Sequence, residues 1–188
     1  KYIPKKMSLF IENIKKEFFH YKALGDRTIE QLDDKELNWK SSSESICIGQ
    51  IVKHVNGNML SRWTDFLNSD GEKNWRNRDD EFKHPLTTKE VIIESWETGW
   101  RCLFDAIEAL KEKDLKKEVF IRNMGQTVQE ALNRQLGHYA YHVGQIVFIG
   151  KTLKNKNWKS LSIPYGKSEE YNSNKFSKPK RTSHFTED

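Results

Sequence analysis

Residues 127–153 read TVQEALNRQLGHYAYHVGQIVFIGKTL. Thr127 followed three residues later by Glu130 is a capping-box spacing, in which each side chain satisfies a backbone N–H at a helix start. Leu132, Leu136, Tyr139, Val143 and Ile146 then recur at three- and four-residue steps, the stripe of an amphipathic helix that continues to about Leu153. His138 and His142 are one helical turn apart and lie one above the other beside that stripe. Their imidazoles point partly inward and can converge on one ion, with metal–nitrogen distances of about 2.0–2.1 Å. Two histidines rarely fix a metal alone, so a third ligand is expected from another helix.

Three more helices are expected upstream. Ile11, Ile14, Phe18, Tyr21, Ile29 and Leu32 mark the first, from about Ser8 to Leu32. Ser41-Ser42-Ser43-Glu44 has capping-box spacing and is expected to lead into the second, striped by Ile48, Ile51, Val52, Val55, Met59, Trp63 and Phe66. The turn Asn68-Ser69-Asp70-Gly71 ends it. Residues 71–86 read as a polar loop with Trp75 and Phe82 as isolated anchors and Pro85 as a breaker. Thr87-Thr88-Lys89-Glu90 opens the third, striped by Val91 or Ile92, then Trp96, Trp100, Leu103, Ile107 and Leu110. Residues 117–123 read as a short extended connection. Four helices of about 20 or more residues with a polar tail imply an all-α, antiparallel four-helix bundle over residues 1–154. Residues 155–188 are expected to form an irregular extension that packs first, then loosens from about Asn172, where Ser, Lys, Asn and Pro dominate.

His54 lies mid-way along the second helix, beside Val55 and near Ile51, so it is the expected third ligand. His20 falls opposite the first helix's stripe, His84 precedes a proline in a polar loop, and His184 is in the tail. Cys47 and Cys102 form no CxxC or Cys-His cluster and read as buried free thiols.

Hydrophobic residues make up 36% of the 188-residue chain and charged residues 31%. No apolar run approaches the roughly 20 residues that span a bilayer, and Lys1-Tyr2-Ile3-Pro4-Lys5-Lys6 lacks a signal-peptide block. A cytoplasmic, membrane-free protein is expected. Residues 151–188 hold nine of the 32 Lys/Arg and four of the 27 Asp/Glu, which accounts for the whole net charge of +5. The preceding 150 residues are neutral, which argues against a nucleic-acid-binding face there.

Tyr139 stands where a zincin's HExxH places its general-base glutamate, so a protease of that type is excluded. Three imidazoles without an obligatory carboxylate leave coordination positions open. Open positions suit Lewis-acid work on a small-molecule substrate. Gly144 reads as a close-approach site for a neighbouring helix, and Gln145 as a hydrogen-bonding residue. Asn58 reads either as an orienter of water at the metal or as a helix-surface residue. Tyr139 and Tyr141 read as pocket-lining or core. The other reading of the whole is a non-catalytic, metal-braced module for dimerisation or partner binding.

His138-Tyr139-Ala140-Tyr141-His142-Val143-Gly144-Gln145-Ile146 resembles the HxxxHxGQI signature of the DinB/YfiT-like superfamily, and His54 within residues 51–58 resembles its helix-two ligand. Residues 158–169 resemble a Bacillus-type subgroup of unknown function. The resemblance implies an up-down-down-up bundle, a zinc or nickel ion on His54, His138 and His142, and a homodimer. It also implies a metal-dependent enzyme, either a thiol S-transferase acting with a low-molecular-weight thiol or a hydrolase.

Overall fold

The computed structural model describes residues 9–187, and the expectations for residues 1–8 lie outside them. Four long helices carry the fold: α1 (Leu9–Glu30), α3 (Ile48–Trp63), α5 (Lys89–Ala109) and α6 (Val128–Lys154). Short helices α2 (Asp34–Leu37), α4 (Arg78–Lys83) and α7 (Ser168–Phe176) lie between or after them. The class is all-α. The one sheet among the described residues is a two-stranded hairpin, β1 (Glu118–Ile121) with β2 (Met124–Thr127), paired antiparallel with Ile121 opposite Met124.

The apolar stripes become the core. α3 packs chiefly on α5, and α1 on α6. Phe18, Trp96, Trp100 and Tyr139 meet edge to face or tilted at the centre, with Trp100 and Tyr139 5.9 Å apart between ring centroids, a favoured aromatic geometry. The three core tryptophans, Trp63, Trp96 and Trp100, are all buried. Of the two candidates for the head of the α5 stripe, Ile92 is buried and Val91 exposed. No helix among the described residues is long and apolar enough to cross a membrane.

Several boundaries differ from the sequence expectation. The α3 helix starts at Ile48 and not after Ser41–Glu44, because Gln50 Oε1 accepts from the Cys47 N–H at 3.1 Å and supplies the N-terminal partner. Ser42 and Ser45 close a small turn of their own. α3 also ends at Trp63, short of Phe66, where Asp65 takes a positive φ of 50° that breaks the right-handed ladder. At α5 the cap sits one residue later than expected, on Thr88, whose Oγ1 accepts from the Val91 N–H. The extended connection at 117–123 turns out to be the first arm of the hairpin. Its two turn residues, Arg122 and Asn123, both have positive φ, and the Asp70 carboxylate accepts both their N–H groups at 2.9 Å. Trp75, expected as an anchor, is 59% exposed. The loop it belongs to holds helix α4, capped by Asn77.

The C-terminal segment begins packed. Trp158 lies against Gly150, and the Lys159 backbone exchanges two hydrogen bonds with the Gln31 amide. α7 has no buried residue.

The expected start of α6 is present in full: Thr127 N–H donates to Glu130 Oε2 at 2.7 Å, and Glu130 N–H to Thr127 Oγ1 at 3.2 Å. Thr127→Ala removes one arm and should lower unfolding free energy by about 1 kcal/mol. A urea unfolding curve measures it, and an unchanged midpoint would show that packing alone starts the helix.

Candidate metal centre

α3 presents His54 and α6 presents His138 and His142, and the three come together. One ring nitrogen of each lies within 4.8 Å of the others. The Nε2 atoms of His138 and His142 are 3.1 Å apart. Two imidazole nitrogens that share an ion at 2.0–2.1 Å stand about 2.9–3.4 Å apart, between right-angle and tetrahedral geometry. The helical pair is therefore already at ligand spacing. His54 and His142 are buried and His138 partly so.

Hydrogen bonds at the far side of two rings set their tautomers. His54 Nδ1–H donates to Glu81 Oε2 at 2.8 Å, and His142 Nδ1–H donates to Gln145 Oε1 at 2.8 Å. Each leaves its Nε2 lone pair for a metal. The Nδ1 of His138 is buried without a hydrogen-bond partner among the described residues. Burial, and then the nearby His142 and His54, push the His138 imidazole down to about 3. Burial likewise brings His142 down to about 4 against the opposing hydrogen bond to Gln145. Both rings are neutral at ordinary pH, the form that ligates. The donor set fits a borderline divalent ion such as zinc or nickel.

Of the other histidines, His20 packs on Tyr21 and Phe185, His84 is exposed at the end of α4, and His184 lies beside Glu17. Cys47 is buried at the α3 start and outside the cluster. Asn58 is not a surface residue: it is buried and accepts from the Tyr139 hydroxyl at 3.0 Å. Tyr139 is core, while Tyr141 is 62% exposed and receives a hydrogen bond from Gln145. The expected close helix approach at Gly144 is absent among the described residues, since a Cβ there would meet nothing within 4 Å.

Glu81 is the residue that reading the sequence missed. It sits on α4, buried, with both oxygens engaged by Arg76 and one also by His54. Only the helix-start signature of Asn77 before Asp79-Asp80-Glu81 hinted that this stretch was ordered.

The chain belongs to the family described as "Protein of unknown function (DUF1572)", which it matches over residues 6–167. No curated protein matches it.

A histidine whose folded pKa lies below its ordinary 6.5 leaves the unfolded chain binding more protons in between, so stability falls as pH drops through that interval. The metal-free protein should keep its full stability above about pH 6.5 and lose it progressively toward pH 4. Thermal unfolding across pH 4–7 tests this, and His142→Ala should flatten the profile.

Proposed function

We propose that the chain is a metal-dependent enzyme that holds a divalent ion, zinc or nickel, on His54, His138 and His142. The observation that carries the reading is the convergence of three imidazoles from two helices, with His138 and His142 already 3.1 Å apart. When bound, such an ion supplies Lewis acidity that lowers the pKa of a thiol or a water.

Of the two reaction classes, thiol S-transfer fits better than hydrolysis. A hydrolase gains from a positioned general base. Glu81, the carboxylate that touches the cluster, is bound to Arg76 and His54, and its pKa is lowered: burial opposes the shift, and the hydrogen bonds from His54 and Arg76 outweigh it. A thiol activated as its thiolate needs no such base. Partial exposure of His138 supports access to the cluster from one side. The reading extends, on the DinB/YfiT-like resemblance, to an up-down-down-up arrangement of the four long helices, a homodimer and a cytoplasmic location.

Zinc- or nickel-loaded protein should conjugate bacillithiol to monochlorobimane faster than metal-free protein. Equal rates would remove the transferase reading. His142→Ala should abolish stoichiometric metal uptake by elemental analysis, and full metal content in that variant would sink the ligand assignment.

A further inference from the structure

One face of α3 carries α4. Gln50, Lys53, His54 and Gly57, at helical steps of three and four, form the seat of α4. The Gln50 amide donates to the Phe82 carbonyl, and Lys53 Nζ pairs with the Asp80 carboxylate at 2.6 Å. The Phe82 ring lies tilted against the His54 imidazole, 4.8 Å between centroids. At the last of these positions a Cβ on Gly57 would stand 2.3 Å from Glu81 Oε1, so a side chain there would displace the carboxylate. Glu81 thus lies directly on the α3 backbone, one turn past His54.

Its carboxylate is held from both sides. Arg76 Nε donates to Oε1 at 2.8 Å and an Arg76 terminal nitrogen donates to Oε2 at 3.0 Å, a bidentate clamp of the kind that fixes carboxylate orientation. The two side chains are only 2% and 6% exposed. A buried ion pair of this kind is often no more stabilising than apolar residues of the same volume, so its packing does not account for it. What an apolar replacement could not do is accept the His54 Nδ1–H.

We propose that Glu81 is a positioning residue for the three-histidine site: clamped by Arg76 and seated on Gly57, it holds His54 with Nδ1 protonated and Nε2 free toward His138 and His142. The proposal rests on the metal-site reading above. An imidazole that donates to a carboxylate is also the more basic ligand. α4, a segment with no ligand of its own, thereby sets the affinity of the centre.

The test is a zinc competition titration on four proteins: wild type, Glu81→Gln, the double variant Arg76→Met with Glu81→Gln, and Asp80→Asn. Asp80→Asn loosens α4 from Lys53 without touching His54. Zinc affinity should fall about 10- to 100-fold in both Glu81 proteins and stay at the wild-type value in Asp80→Asn. The downfield proton signal of His54 Nδ1–H, assigned by nitrogen-15 correlation in the metal-free state, should move with Glu81→Gln. Should that single variant fail to fold, the double variant, which leaves no unpaired buried charge, carries the test. Wild-type affinity in a Glu81 protein overturns the proposal, as does an equal loss in Asp80→Asn. If wild-type protein takes up no zinc, the metal-site reading itself falls, and that outcome is distinct from zinc bound equally by wild type and Glu81→Gln.

Discussion

The Tyr139 hydroxyl accepts from Trp63 Nε1 and donates to Asn58 Oδ1, each at 3.0 Å. Both partners are on α3, the helix that carries His54, while Tyr139 lies between the two histidines of α6. A fully buried hydroxyl left without partners would be costly, by about 1–3 kcal/mol, so α6 is held at one rotation relative to α3. That rotation turns His138 and His142 toward His54. Phe18 and Trp100 pack on the Tyr139 ring, so the same residue ties the cluster to the core. The geometry of the histidine cluster thus follows from how a core tyrosine satisfies its hydroxyl.

Around that frame the three rings are supported unequally. His54 faces an ionised carboxylate, His142 a neutral amide, and His138 has no partner on Nδ1. Hydrogen bonding to a charged group is roughly twice as strong as to a neutral one. His54, reached from a different helix and a different loop, is therefore the ring whose tautomer is held hardest. His138 has only the Nε2 of His142, 3.1 Å away, as a partner for its ring proton, and it is the most exposed of the three. The rigid side of the centre faces α4 and the permissive side faces solvent.

The histidine cluster was legible because its signal is local on one helix and periodic on another. The four-residue step of His138 and His142, and the phase of His54 beside Val55, survive whatever the loops do. Thr127–Glu130 was legible for the same reason, a reciprocal cap within four residues. Ser41–Glu44 carries an equal spacing and starts no helix, because Gln50 caps from inside and the competing turn at Ser42–Ser45 takes the serines. Glu81 was not legible at all. Its role depends on Arg76, Gly57 and His54 together, contacts from different stretches of chain that no periodicity announces, and on a loop whose composition reads as solvent-facing. Gly57 illustrates the difficulty: inside a helix stripe it looks like a weak point, and only the position of Glu81 gives it a reason.

Burial has two opposite consequences at this centre. It removes water from His138 and His142, which drives both pKa values far below the ordinary histidine range and makes the metal-free fold sensitive to acid. The same desolvation keeps both rings neutral at ordinary pH. In water, part of the imidazole population near pH 6.5 is protonated and must lose that proton before it can ligate; here that step is completed by folding. The two Nε2 atoms 3.1 Å apart leave room for one ring proton between them and not for two, the spacing that one shared ion would also take.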